Sequence, residues 1–314
     1  MHAVSTRGLT KDYEVGSVVR NRRRALDHLD LNVEEGEIFG LIGPNGAGKT
    51  TTLKLLMGLV YPTEGDAEIL GRPVADRSMK REIGYLPEQP YFYDYLTGRE
   101  LLVYFGQLFG LDKAERRARA DELLDRVGMT EAADVPLRKY SKGMTQRLGI
   151  AQALVNRPRL VFFDEPMSGL DPLGRRDMTH LVRELRDGGV TVFFCSHILP
   201  DVEQLCDRVA ILNRGKLVEV GRLSEILDVT VQAVEVVADN VSDALLAKLR
   251  SAAREVRQAG AQWHVAFPGA EAFDEALPLF SGNGARIVSV NRVKQNLEDH
   301  FMRELNASAS GGKP

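Results

Sequence analysis

The chain reads as an α/β protein built on a parallel sheet, followed by a smaller α+β unit. Three observations predict this. The runs "EIFGLIG", "RLVFFDEP" and "VTVFFCSH" are apolar throughout, as strands buried on both faces are, and helical patterns follow them, which is the rhythm of parallel strands joined by crossovers. After "GRLSEILDV" the pattern changes to short strands and helices in alternation. A length of 314 residues is enough for one large and one small core.

Taken in order, residues 4–42 read as short strands and turns. In "LDLNVEEGEIFGLIG" an alternating strand is followed by a Glu-Glu-Gly turn and a second strand buried on both faces. From about 89 to 157 the pattern is helical, through "LTGRELLVYFGQLFG", "KAERRARADELLDRVGM" and "TQRLGIAQALV", a helical insert in the first domain, which spans 1–224. The second domain, 228–306, reads as strand "VQAVEVV", helix "VSDALLAKLRSAAREV", strand "AQWHVAF", helix "AEAFDEALPLF", strand "ARIVSV" and helix "NLEDHFMREL". The closing segment 307–314, "ASASGGKP", is small and polar and is expected to be a disordered tail.

Composition narrows the function classes. With 41 basic against 44 acidic residues the net charge is -3, so the chain lacks the electrostatic footprint of a nucleic-acid binder and no nucleic-acid partner is expected. Two cysteines, Cys195 and Cys206, lie in apolar settings and form no disulfide framework, which points to the cytoplasm. The N-terminus has no apolar core of signal-peptide length, and runs such as "VTVFFC" are strand-sized rather than membrane-sized.

The strongest motif is "GPNGAGKTT", comprising Gly43, Pro44, Asn45, Gly46, Ala47, Gly48, Lys49, Thr50 and Thr51, directly after a buried strand and before the helical run "TLKLLMGLV". Its glycines let backbone amides converge on phosphate oxygens at a helix start. Lys49 supplies a cation for the β and γ phosphates, and Thr50 a hydroxyl for magnesium. A nucleoside triphosphate site follows from the complete spacing and flanks. "LVFFDEP" then delivers Asp164 and Glu165 at the C-terminal end of a strand, where ligands bind in such sheets. One carboxylate can hold magnesium through water while the other accepts a proton from attacking water. "CSH" places His197 at the end of another buried strand, within reach of the γ-phosphate. "LRKYSKGMTQRLGIAQAL" reads as a helix start whose donors either cap themselves or bind an anion.

With these motifs together, the chain resembles the nucleotide-binding subunit of an ATP-binding cassette (ABC) transporter over residues 4–222. The resemblance implies a P-loop NTPase cassette that dimerises head to tail around two ATP molecules with Mg2+ and drives a separately encoded permease. "YSKGM" stands where the family carries Leu-Ser-Gly-Gly-Gln, so Ser141 and Gly143 are implied to meet the γ-phosphate of ATP held by the other subunit. Lys142 replaces a glycine there and either adds charge near the triphosphate or points into solvent; Met144 replaces the glutamine. "MSGLD" matches the family's D-loop, with Asp171 coupling the two sites, and Tyr13 in "KDYEV" matches the aromatic that stacks on adenine. The basic segment "RNRRR" that follows reads as a solvated hairpin tip.

Further implications are that Glu165, His197 and Lys49 are catalytic and that Thr50, Asp164 and Glu88 hold magnesium, partly through water. The Q-loop residue falls by register on Glu88, with Gln89 as its neighbour. Some of the aromatics from Tyr91 to Tyr95 form the groove for a permease helix, the others packing the insert. The "SKGM" variant together with the C-terminal domain resembles ATPases of ABC-2 type exporters, placing the chain in the cytoplasm at the inner face of the membrane. The second domain, which carries no chemistry-bearing motif, is expected to regulate or to support the dimer. The rival reading is a soluble ABC ATPase acting on ribosomes or nucleic acid, although such relatives usually carry two cassettes or a long coiled-coil insert.

Overall fold

The computed structural model describes residues 1–15, 21–227, 231–294 and 296–310. The chain divides into a unit spanning Met1–Leu223 and a second spanning Ser224–Asn306.

In the first unit, β1 (His2–Val15) and β2 (Asn21–Glu34) form a long antiparallel pair rather than the short strands the sequence suggests. Alternation explains the length: Leu29, Leu31 and Val33 turn inward while Asp30, Asn32 and Glu34 face solvent. This pair joins β4 (Glu64–Ile69) and β5 (Arg72–Pro73) in one sheet. The central sheet contains β3 (Ile38–Ile42), β6 (Ile83–Leu86), β7 (Leu160–Asp164), β8 (Thr191–Ser196), β9 (Arg208–Asn213) and β10 (Lys216–Arg222), in the order β10-β9-β3-β8-β7-β6. All its neighbours are parallel except β9 and β10. Every residue of β3, β7 and β8 is buried, which is why these strands read as continuous apolar runs. Strands β4, β5 and β6 are additions that the sequence pattern does not announce.

A core between the two sheets joins Leu9, Leu26 and Leu29 to Phe39, Phe162 and Phe193, with ring centroids 5.5 Å apart in both Phe39–Phe193 and Phe162–Phe193. Leu53 and Leu56 of α1 (Lys49–Leu56) close it. Three helices occupy the middle of the unit: α2 (Gly98–Leu108), α3 (Lys113–Arg126) and α4 (Lys142–Ala153). Capping boxes, Thr97 with Glu100 and Asp112 with Glu115, fix the starts of α2 and α3. Then come α5 (Pro172–Asp187), whose buried face carries Met178, Leu181, Val182 and Leu185 at helical spacing, and the short α6 (Leu199–Leu205) and α7 (Leu223–Ile226).

The second unit contains β11 (Val231–Asp239), α8 (Asp243–Ala252), β12 (Glu255–Ala259), β13 (Gln262–Phe267), α9 (Ala270–Gly282) and β14 (Arg286–Lys294), with sheet order β12-β13-β11-β14. That order and sequence of elements is the split βαβ, ferredoxin-like arrangement. Strand β12 corrects the expected helix through Val256. The chain turns at Gly260, where φ is 62°, and pairs Glu255–Ala259 with β13, so tertiary pairing overrides the helix propensity of "AAREV". Val234, Val236, Leu245, Leu249, Phe267, Phe273 and Phe280 form the core of this unit. The last helix, α10 (Leu297–Ser310), runs four residues into the segment expected to be a disordered tail, 307–314. Two alanines in "ASAS" favour its continuation. Residues 311–314 lie outside the described residues.

Candidate functional site

The phosphate loop leaves the end of β3 and enters α1. At Gly48, the residue before the helix, φ is 114°, and a Cβ there would fall 2.7 Å from Ala25 O, so the loop can close only with glycine at this point. Ala47 N–H donates to Pro44 O at 3.0 Å, tightening the turn. Buried Lys49 donates from Nζ to Gly43 O at 2.7 Å and lies 3.8 Å from Glu165 Oε1. A cleft of about 620 Å³ opens over the loop. Asn45, Gly46, Ala47, Gly48, Lys49, Thr50 and Thr51 line it, with Tyr13, Glu88, Asp164, Glu165 and His197. Gly43, Pro44 and Gln89 are outside this lining.

The parallel strands bring the acidic groups to this place. Asp164 ends β7 and Glu165 follows it with a left-handed backbone, φ 53°, anchored by its N–H to Cys195 O at 2.9 Å. The two carboxylates therefore go different ways. Asp164 Oδ2 accepts from Thr50 Oγ1 at 3.2 Å. Glu165 Oε1 meets His197 Nδ1 at 2.8 Å, and its Oε2 accepts from Ser196 Oγ and His197 N–H, both at 3.3 Å. Glu165 is 6% exposed, whereas the His197 side chain is 49% exposed and open to a ligand. Burial pushes the Asp164 carboxyl up to about 6; the Thr50 hydroxyl opposes this, and the charges of Glu165 and Glu88 add to it. Thr50, Asp164 and Glu88 thus present oxygen atoms on one wall of the cleft, the donor chemistry a hard divalent cation requires.

The signature residues stand elsewhere. Ser141 caps α4, its Oγ accepting from Met144 N–H at 3.3 Å. Lys142, expected either near a triphosphate or in solvent, is exposed, and its side chain lies across Gly169, where a Cβ would fall 2.5 Å from Lys142 Nζ. Gly143 faces Leu170. Asp171 caps α5 by accepting from Gly174 N–H at 2.7 Å, and Gln146 of α4 donates to Pro166 O at 3.1 Å. The start of α4 is therefore tied to the segment that follows Glu165, while Ser141, Lys142, Gly143 and Asp171 stay out of the lining of this chain's own cleft.

Several cleft residues went unread in the sequence. Arg23 pairs across the strands with Tyr13, and Arg23, Arg24 and Ala25 line the cleft together with Arg214. The described part of the "RNRRR" run, Asn21–Arg24, is exposed strand at the end of the β1–β2 pair, of which Arg23 and Arg24 border the cleft; Arg20 lies outside the described residues. The alternating partner strand was the available signal. Lys11 Nζ sits 5.2 Å from the centre of the Tyr13 ring.

A phosphate loop after a central parallel strand, a buried Asp-Glu pair and a histidine held by the second acid define a nucleotide-hydrolysing P-loop cassette. The family model described as ABC transporter matches residues 26–168. The chain is 45% identical over 307 residues to the uncharacterized ABC transporter ATP-binding protein sll0415 of Synechocystis, covering 97% of this chain and 85% of that one. It is 42% identical to the bacitracin transport ATP-binding protein BcrA of Bacillus licheniformis, covering 69% and 68%. Among solved structures, the ATP-binding subunit of an ABC transporter matches with TM-score 0.63 and 32% identity over 71% of this chain and 91% of that one. The dimeric post-hydrolysis cassette MJ0796 bound to ADP and Pi matches with TM-score 0.65 and 28% identity over 70% and 98%. The chain belongs to the ATP-binding subunits of ABC transporters, and its activity is ATP hydrolysis.

Proposed function

We propose that two copies of this chain bind two MgATP head to tail and hydrolyse them to drive a separately encoded ABC-2 type export permease. The observation that carries the reading is the position of Ser141 and Gly143: they lie outside the lining of their own cleft, with the start of α4 linked through Gln146 to Pro166, next to Glu165. A second copy would complete each site with this helix start, whose amides and positive end suit a γ-phosphate. The dimeric MJ0796 structures support the pairing, and the bacitracin transport and daunorubicin/doxorubicin resistance relatives support export.

In the proposed mechanism, Tyr13 stacks on adenine, the loop amides and Lys49 hold the β and γ phosphates, and Glu165 takes the proton from attacking water. His197 fixes the Glu165 carboxylate through their 2.8 Å contact and faces the γ-phosphate. Thr50 and Asp164, with Glu88, would hold magnesium, which neutralises phosphate charge when bound. Ser141 and Gly143 act on the partner's nucleotide, and Asp171 couples the two sites.

The permease would dock at an apolar groove of about 350 Å³ lined by Leu59, Tyr91, Phe92, Phe105 and Phe109. Tyr91 is 97% exposed at its rim; Tyr93 and Tyr95 lie outside the lining, with ring centroids 5.8 Å apart. Among the described residues no helix is long and apolar enough to cross a membrane, so membrane attachment would come through the permease at the cytoplasmic face. The second unit would regulate or support the dimer. The test is co-purification with the product of a neighbouring permease gene and ATPase stimulation by it. Binding to ribosomes or nucleic acid instead, with no permease recovered, overturns the transport reading.

A further inference from the structure

The two-residue turn joining β9 to β10 brings Arg214 into the wall of the nucleotide cleft. It is fixed from two sides. Gly215 N–H donates to Ala47 O at 2.8 Å, tying the turn to the phosphate loop, and Gly215 O accepts from Asp27 N–H at 2.8 Å, tying it to β2. A Cβ on Gly48 would fall 3.6 Å from Gly215 Cα, and one on Gly215 would fall 2.9 Å from Ala25 O. Arg214 therefore stands where β2, coming from the Arg23–Tyr13 pair, reaches the phosphate loop.

Its backbone is left-handed, φ 48°, and Gly215 follows at 81°. Asparagine or glycine fills the first of two such positions in a tight hairpin without penalty, whereas arginine sets its Cβ against the following carbonyl. Left-handed backbone alone marks nothing, since Leu70 and Arg157 share it outside the cleft. Arg214 combines it with an exposed guanidinium on the cleft wall that has no hydrogen-bond or ion-pair partner among the described residues. Arg24, on the same wall, is already held by Asp12 and Asp27, each at 2.9 Å.

We propose that Arg214 binds the α-phosphate of the nucleotide, and so serves ATP and ADP alike. With the base at Tyr13 and the β and γ phosphates over Lys49, what lies between is ribose and α-phosphate, and a guanidinium fork selects the phosphate. This rests on nucleotide binding in this cleft, which Lys49→Ala tests separately.

The experiment titrates full-length wild type, Arg214→Asn, Arg214→Lys and Lys49→Ala with MgATP and MgADP by calorimetry, and records the melting of each without nucleotide. Arg214→Asn is expected to weaken ATP and ADP by the same factor, about tenfold, as loss of a charge-assisted hydrogen bond does. Its KM should rise by that factor, with kcat at saturation changing less than about twofold, the signature of lost uniform binding. Arg214→Lys should keep part of the affinity. Nucleotide-free Arg214→Asn should melt at a higher temperature than wild type, since asparagine relieves the left-handed strain. Unchanged affinity for both nucleotides in Arg214→Asn, with Lys49→Ala still losing ATP, overturns the assignment and leaves the site standing. A loss confined to ATP also overturns it, because that would put Arg214 at the γ-phosphate. Unimpaired binding by Lys49→Ala removes the nucleotide site itself and the proposal with it.

Discussion

Glu165 and His197 meet end to end, Oε1 to Nδ1 at 2.8 Å, although they come from different strands of the central sheet. Pairing of β7 with β8 places Asp164 beside Cys195, so the residues just beyond both strands converge on one point. That point lies over the phosphate loop, with Lys49 3.8 Å from the same carboxylate oxygen.

Glu165→Gln keeps the shape of this contact but cannot accept a proton as a carboxylate does. Phosphate release should slow by about 10²- to 10⁴-fold while ATP affinity stays close to wild type. Near-normal turnover in this variant would remove Glu165 from the role of base.

The raised pKa of Asp164 makes it a stability cost in the nucleotide-free protein. Its folded-state value of about 6 exceeds the ordinary 3.8, so the folded state holds the proton more tightly than the unfolded chain. The cost is full above the folded value and fades as pH falls toward the ordinary one. Asp164→Asn should therefore raise Tm by about 2 °C near pH 7.5, with less gain near pH 5, while magnesium-dependent hydrolysis is lost. Calorimetry without nucleotide at both pH values reads the first effect. A lower Tm at the higher pH would contradict it.

Ser141 has two roles that substitution can separate. Its hydroxyl caps α4, and aspartate caps as well, so Ser141→Asp should keep Tm within about 1 °C of wild type. The added negative charge would face a partner's triphosphate. ATP-dependent dimerisation in a Glu165→Gln background, followed by light scattering, should be lost in Ser141→Asp; an unchanged dimer would argue against the composite site.

Gly84 is the point where β6 touches α4, and a Cβ there would overlap the Ala153 carbonyl oxygen. Backbone cannot yield as a side chain can, so Gly84→Ala should cost about 2 kcal/mol or more by denaturant unfolding. A change below about 0.5 kcal/mol would mean that the helix shifts freely on the sheet.

The central sheet was legible because parallel strands covered on both faces read as apolar runs, and the phosphate loop because its residues act together over nine consecutive positions. Asp164, Glu165 and His197 were legible as strand-end residues in "LVFFDEP" and "CSH". Strand β12 was hidden because "AAREV" satisfies a helix locally and only pairing with β13 makes it a strand. Lys142 was equally ambiguous: the sequence offers no reason for its side chain to lie on Gly169, a residue 27 positions further on.

The sequence by itself determined the α/β class, the phosphate loop and the acids that stand after it, since these depend on local pattern and on residues close together in the chain. Only the tertiary structure decided which arginines border the cleft. Arg23 and Arg24 reach it through the pairing of β2 with β1, and Arg214 reaches it through a turn held between Ala47 and Asp27. Such placement follows from strand register and long-range backbone hydrogen bonds, whose partners are far apart in sequence and leave no periodic trace in it.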